Sequence, residues 1–151
     1  MFVNCVNDVK CGGIIIDKQR KCILCVLNKL SFLKGEHKWG FPKGHTIKNE
    51  EYWKCAQREI HEETSLYLEK KKFHKYVKIY NNIYYIITLN TDYTNLISYD
   101  NNEICKVEWK TIKELKEINY NRDLRCFIKF INNKPLSILT KMPANKNLGL
   151  D

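Results

Sequence analysis

Residues 44–66 read GHTIKNEEYWKCAQREIHEETSL, and this stretch decides how the rest of the chain is interpreted. Asn49 is a suitable N-cap, and the two glutamates that follow it lie where the helix dipole favours negative charge. Apolar side chains then recur at the helical spacing i, i+3, i+7. They are Trp53, Ala56 and Ile60. The stretch therefore predicts an amphipathic helix that starts after Asn49 and ends near Thr64.

Three glutamates of the predicted helix, Glu59, Glu62 and Glu63, stand at i, i+3 and i+4. Their carboxylates thus project from one face, offset from the apolar stripe. Like charges this close repel each other and weaken a helix unless a cation shares them. Carboxylate oxygens are hard ligands of the kind that Mg2+ and Mn2+ prefer. Residue types and spacing alone leave two interpretations open, a divalent-metal site and an acidic surface exposed to solvent.

The 23 residues resemble the signature of the Nudix hydrolase family. That signature runs glycine, five residues, glutamate, seven residues, then arginine, glutamate, an apolar residue, any residue, two glutamates, any residue, glycine and an apolar residue. Gly44, Glu50 and the run 58–66 match it at eight of nine defined positions. The exception is Ser65, where the family has glycine at the left-handed end of the helix. Serine tolerates that conformation at a cost of roughly 1 kcal/mol, so we expect a strained helix end and retained activity.

The resemblance implies an α/β fold in which a mixed β-sheet is sandwiched between helices (α/β/α). It also implies hydrolysis of a diphosphate linked to another moiety, with Mg2+ or Mn2+ as the cofactor. Carried over by motif position, the metal ligands are the carboxylates of Glu59, Glu62 and Glu63 and the backbone carbonyl of Gly44. Glu63 is also assigned a catalytic role, since a carboxylate must take the proton of the attacking water. Arg58 is expected to orient the carboxylates, with Glu50 supporting them.

The flanks of the motif resemble the mRNA-decapping members of the family. Residues 39–44, Trp-Gly-Phe-Pro-Lys-Gly, match the entry to the motif there, and residues 102–109 match a later loop and strand. This resemblance implies that Glu103 is a further metal ligand or the general base, and that Lys43 contacts a substrate phosphate. The alternative for both is an ordinary solvated loop residue. Trp39 could stack on a base or pack in the core.

Residues 121–132 predict a last amphipathic helix. Its apolar face is formed by Leu124, Phe127, Ile128 and Ile131. On another face, basic residues align at i, i+3 and i+7, namely Arg122, Arg125 and Lys129. Decapping members of the family bind the RNA body with a basic helix after the catalytic core, so the resemblance implies RNA binding by these residues and by Lys43. A plain amphipathic surface helix is the alternative.

The composition bounds the class of protein. A chain of 151 residues, 44% of them hydrophobic, is typical of one globular domain, and no apolar run is long enough to cross a membrane. The formal charge of +9 favours polyanionic partners, although only four of the 26 basic residues are arginine and lysine enrichment alone accounts for much of the charge. Seven cysteines without a framework spacing, and no signal-like N-terminus, favour a reduced, cytoplasmic protein.

Several further elements are predicted from local patterns. Strands are expected over 12–17, 21–27 and 104–109, and a hairpin over 73–90 that turns at Asn81 and Asn82. Thr111 and Glu114 form a capping box for a short helix. We expect one domain over residues 1–133, followed by a tail over 134–151 to which the sequence assigns no role.

These inferences together predict a metal-dependent pyrophosphohydrolase that removes the 5' cap of mRNA, releasing a nucleoside diphosphate and a 5'-monophosphate RNA. One alternative is a Nudix hydrolase of dinucleoside polyphosphates or free nucleoside triphosphates. A second is a Nudix-fold RNA-binding module without turnover. The expected partners are capped RNA or a nucleoside polyphosphate as substrate and a decapping activator protein, with neither DNA nor a membrane.

Overall fold

The computed structural model describes residues 9–90 and 95–148, and these residues contain one eight-stranded mixed sheet. Its strand order is β3-β2-β1-β6-β5-β8, with β4 paired to β1 and β7 paired to β2. The strands are β1 (Lys10–Asp17), β2 (Cys22–Asn28), β3 (Trp39–Gly40), β4 (Lys43–His45), β5 (Tyr76–Ile79), β6 (Asn82–Leu89), β7 (Ile104–Thr111) and β8 (Lys146–Asn147). β1 pairs with β6 in parallel, as β5 does with β8. The first eight residues of the predicted 1–133 domain, and residues 149–151 of the predicted tail, lie outside the described residues.

The described residues contain five helices, four of which contribute buried side chains to the two core clusters on either side of the sheet. The helices are α1 (Lys29–Leu33), α2 (Tyr52–Thr64), α3 (Ile112–Lys116), α4 (Arg122–Ile131) and α5 (Ile138–Lys141). Alternate residues of β1 point to opposite faces, so Ile15 packs in one core cluster with Ile60 of α2, whereas Ile14 packs in the other with Phe127 of α4 and Leu139 of α5. The predicted α/β/α sandwich is confirmed.

Strand β1 pairs with β4 at its start and with β2 at its end, and this leaves a gap in the sheet. β1 pairs with β2 only at its last two residues, and with β4 at its first three. The backbones approach closely there, since a Cβ at Gly12 would lie 1.9 Å from the carbonyl oxygen of Pro42. Only glycine permits this approach. The gap that remains between β2 and β4 is where the candidate site lies.

Two predicted boundaries are wrong. α2 starts at Tyr52 with Glu51 as N-cap, and Asn49 instead takes a left-handed φ of 64°. The hairpin turns at Tyr80 and Asn81, because Asn82 is already paired with Ile79 and its side chain is buried. Other predicted features are present. Thr111 and Glu114 form the capping box, and the side chain of Asn121 caps α4 by accepting from the amide of Leu124 at 3.0 Å.

The residues after α4, set apart as a tail in the sequence interpretation, pack onto the domain as far as residue 148. Leu139 and Met142 are buried in the core on the α4 side, and β8 adds a strand beside β5. The Cys126 thiol donates to the carbonyl of Leu148 at 3.2 Å. Neither α5 nor β8 carries a strong local pattern, so the sequence did not predict them. No helix in the described part of the chain is long and apolar enough to cross a membrane.

Candidate active site

The gap in the sheet forms a cavity of about 140 Å3 that collects charged side chains from distant parts of the chain. Among the residues that line it are Lys10, Lys38, Lys43, Glu63, Glu103 and Asn121. They come from β1, β4, α2, the start of α4 and two loops. Because opposite charges face one space, the cavity is suited to a ligand that carries both negative groups and a cation.

Glu63 is the most buried of the α2 carboxylates that were predicted as ligands, with 3% of its surface exposed. One of its oxygens accepts the backbone N–H of Lys43 at 2.9 Å, which ties the last turn of α2 to β4. Burial raises the pKa of Glu63 to about 8, although the backbone N–H and the charge of Lys43 act in the opposite direction. The negative charges of Glu59 and Glu103 raise it further.

Glu59 is buried against β4, where Gly44 leaves room for it. A Cβ at Gly44 would lie 2.0 Å from Cδ of Glu59, so only glycine lets this carboxylate reach the strand. Burial also raises the pKa of Glu59. The Gly44 carbonyl, the predicted backbone ligand, accepts a weak hydrogen bond from the Cys55 thiol at 3.4 Å.

The Arg58 side chain contacts three glutamates of the motif, Glu50, Glu59 and Glu62. Its guanidinium makes a bidentate pair with Glu50, both distances being 2.9 Å, and donates to Glu59 at 2.7 Å. Glu62, whose side chain is 43% exposed, lies 3.5 Å from the same nitrogen that contacts Glu59. Hydrogen bonding to Arg58 lowers the pKa of Glu50. Arg58 therefore has the geometry expected of a residue that orients carboxylates.

Glu103 lies on an exposed loop across the cavity from α2. Its backbone N–H contacts Asp100, and its carbonyl accepts from Lys29 at 2.6 Å. Glu103 lines the same cavity as Glu63, and its negative charge contributes to the raised pKa of Glu63. The structure thus brings Glu103 to the α2 carboxylates although 40 residues separate it from Glu63.

The donor chemistry fits a divalent cation. Two buried carboxylates, Glu59 and Glu63, have their charge disfavoured by burial and by the negative charges of neighbouring glutamates, and a shared cation would relieve both effects. Over residues 9–90 and 95–148, however, no three Asp, Glu, His or Cys side chains stand close enough together to hold an ion as they are placed. Arg58 occupies the space between Glu59 and Glu62.

The structure adds residues that the sequence reasoning missed. Lys10 and Lys38 line the cavity beside Lys43, and burial lowers the pKa of Lys43 while Lys10 adds to that effect. Asn121 presses its side-chain amide against β3, where a Cβ at Gly40 would lie only 2.2 Å away. Nothing in the local patterns pointed to Lys10 or Lys38. The capping role of Asn121 was the one available signal for its position.

A buried polar cluster fixes the start of α4 beside the cavity. Asp123, which is 4% exposed, accepts from the Asn82 side-chain amide at 2.7 Å and from the hydroxyl of Tyr84. Burial raises the pKa of Tyr84, so this phenol stays protonated and can donate. Because a buried carboxylate without partners is costly, these hydrogen bonds hold the first turn of α4 against β6.

The predicted basic residues of α4 lie on its exposed face. Arg122, Arg125 and Lys129 are all exposed, whereas the apolar residues between them are buried. The Arg122 guanidinium lies 4.0 Å from the ring centre of Tyr80 and 3.4 Å from Asp123. These three residues, the α4 ridge, start one residue after Asn121. Trp39, by contrast, is 7% exposed and packs in the core, which decides between its two interpretations.

Comparison with known proteins gives a consistent result. A family model described as NUDIX domain matches residues 7–130. The chain is 26% identical over 137 residues to Nudix hydrolase 7 of Arabidopsis thaliana, a match that covers 86% of this chain and 48% of that protein. It is 30% identical over 146 residues to mRNA decapping complex subunit 2 of Schizosaccharomyces pombe, covering 91% of this chain and 19% of that protein. The chain thus spans about half the length of the first relative and about a fifth of the second.

Solved structures share the fold. An Ap4A hydrolase of C. elegans in a binary complex superposes with a TM-score of 0.62, covering 88% of this chain and 99% of that chain. Sequence identity over the superposition is 18%. At that identity the likeness concerns the arrangement of strands and helices and not the substrate.

Proposed function

Since the NUDIX match covers residues 7–130, the chain belongs to the Nudix family, whose hydrolases cleave diphosphate bonds, and from this premise we propose that it removes the 5' cap of RNA. The observation that carries the proposal is the continuity between the cavity and α4. Asn121 lines the cavity, and the exposed α4 ridge starts at the next residue. A cap bound in the cavity would thus leave the RNA body beside three basic side chains.

The chain's own residues are proposed to divide the work as follows. Lys10, Lys38 and Lys43 bind the phosphate oxygens, because these three lysines line one small cavity. Glu63 or Glu103 takes the proton of the attacking water, because both residues line the cavity. Arg58 orients Glu59 and Glu62.

Nudix hydrolases generally use divalent metal ions, and the donor set here fits Mg2+ or Mn2+. The residues proposed to hold it are Glu59, Glu62, Glu63, Glu103 and the carbonyl of Gly44. When bound, the ion neutralises phosphate charge and lowers the pKa of a bound water. A decapping activator is a further proposed partner, which the 30% identity to a decapping complex subunit supports.

Hydrolysis of dinucleoside polyphosphates or nucleoside triphosphates is the second candidate. The cavity favours it on one count, since a volume of about 140 Å3 lined by three lysines suits a phosphate chain without an RNA body. The sequence similarity to Nudix hydrolase 7 of Arabidopsis thaliana extends over almost as much of this chain as the similarity to the decapping subunit.

The test offers the purified chain cap-labelled RNA, free cap dinucleotide and diadenosine tetraphosphate, each with Mn2+ and with a chelator. We expect labelled nucleoside diphosphate from capped RNA with kcat/KM at least about 10-fold above that for cap dinucleotide, and no turnover in the chelator. Turnover of the small molecules alone would exclude decapping. RNA binding with no turnover of any substrate would identify a binding module.

The α4 ridge gives a second prediction. Replacing Arg122, Arg125 and Lys129 together with glutamine should lower the slope of log Kd against log salt by about 2, because each phosphate contact to single-stranded RNA contributes about 0.7. The matched control removes three charges elsewhere, from the 3-10 turn Lys70–Lys72. That control should leave the slope unchanged. Equal slopes for the ridge variant and the wild-type chain would remove the ridge from the proposed RNA path.

A further inference from the structure

Ser65 ends α2 at the position where the family has glycine, and it uses its hydroxyl. It has φ 64° and ψ 0°, and its amide closes the helix by donating to His61. The hydroxyl donates to the Thr64 carbonyl and accepts the amide of Ile97 at 3.2 Å. Glycine would adopt this backbone with less strain but could make neither contact. The serine therefore gains a link to a segment 32 residues away.

That segment, the 97–103 loop, stays attached along the end of α2. The carbonyl of Glu62 accepts from the amides of Tyr99 and Asp100, at 2.7 and 3.1 Å, and from the Ser98 hydroxyl at 3.3 Å. Carbonyls in the last turn of a helix have no partner within the helix. The 97–103 loop thus supplies hydrogen-bond donors to a carbonyl in the last turn of α2, next to the bond between Ser65 and Ile97.

The far end of the 97–103 loop is Glu103. Its amide lies 3.3 Å from the carbonyl of Asp100 and 3.2 Å from the Asp100 carboxylate. Asp100 in turn donates to Glu62. A short chain of hydrogen bonds therefore runs from the end of α2 to Glu103, which lines the same cavity as Glu63 and acts electrostatically on it.

We propose that Ser65 is a positioning residue: its hydroxyl fixes the 97–103 loop on α2 and thereby holds Glu103 in the active site. The inference rests on the role proposed above for Glu103 in metal binding and proton transfer. It explains why serine, despite its strain, stands where glycine is usual. The hydroxyl acts on geometry and not on substrate affinity, so it should affect kcat and metal binding more than KM.

Ser65→Gly and Ser65→Ala both remove the hydroxyl, but only alanine keeps the strain. We expect both to bind Mn2+ roughly 10-fold more weakly and to lower kcat by a similar factor, with KM within about twofold of wild type. Amide hydrogen exchange should speed up roughly 10-fold at residues 97–103 in both. Ser65→Asn, which tolerates the left-handed backbone and restores a side-chain oxygen, should recover most of the loss. Ser137→Gly, an exposed serine without a side-chain capping bond, is the control.

A double-variant cycle with Glu103→Gln decides whether the effect passes through Glu103. In that background Ser65→Gly should change Mn2+ affinity by less than about twofold. Wild-type affinity in Ser65→Gly, or an undiminished loss in the Glu103→Gln background, would overturn the inference. If Mn2+ affinity follows this pattern but the chain hydrolyses none of the substrates, the proposed function is wrong and the positioning role of Ser65 is retained. A wild-type chain that binds no Mn2+ would overturn both.

Discussion

Replacing Glu63 with glutamine is expected to lower kcat by about 1,000-fold. The amide keeps the size of the carboxylate, and its oxygen can still accept the backbone N–H of Lys43, so β4 and α2 stay joined. What the change removes is the carboxylate that is proposed above as a metal ligand and proton acceptor and that lines the cavity. The measurement is steady-state hydrolysis of the best substrate with saturating Mn2+.

The thermal stability of the Glu63→Gln variant should be unchanged or higher, although its activity falls. Glu63 is buried and its pKa is raised to about 8 chiefly by burial, so folding works against its charged form. The neutral amide avoids that cost, and we expect a melting temperature equal to or above that of wild type. Glu69→Gln, on an exposed residue paired with Lys71, serves as the control and should change neither property. A fully active Glu63→Gln enzyme would contradict the assignment of this residue.

The sequence predicted those features of the site that depend on residues close to one another in the chain. The helical period, the spacing of Glu59, Glu62 and Glu63, and the left-handed residue at Ser65 all depend on neighbours within one or two turns, and each is present in the structure. The start of α2 was wrong because side-chain contacts that capping preferences do not consider shape the turn before the helix. Glu50 accepts from the amide of Ile47 and pairs with a residue eight positions later, and these contacts shape the turn before the helix.

The wall of the cavity opposite α2 could not be predicted in the same way. Lys10 reaches it because β1 pairs with β4, a contact that joins residues about 35 positions apart. Asn121 reaches it because its amide donates to the carbonyl of Trp39 across more than 80 residues. The partners in such contacts lie too far apart in the sequence for a local pattern to reveal them. Only the resemblance to a family placed Glu103 near the motif, since a single loop glutamate carries no signal of its own.

Replacing Arg58 with methionine is expected to destabilise the fold by about 3 kcal/mol, because it leaves buried carboxylates without their cation. The side chains of Glu50 and Glu59 are only 13% and 10% exposed, and both depend on this guanidinium. For a domain of this size the loss corresponds to a fall in melting temperature of about 10 °C. Calorimetry at neutral pH gives the comparison. Arg125→Met makes the same chemical change on the exposed face of α4 and should shift the melting temperature by no more than about 2 °C.

The pH dependence identifies the cause of that loss. Arg58 lowers the pKa of Glu50 in the folded chain, so the stability that this pair contributes is present above the ordinary glutamate pKa and is lost as the pH falls through the lowered value. The difference in stability between wild type and Arg58→Met should therefore narrow in acid. Arg58→Lys, which keeps the charge but not the bidentate geometry with Glu50, should fall between the two. A difference that stays constant with pH would assign the loss to packing of the arginine stem, and would remove Arg58 as the residue that orients the carboxylates.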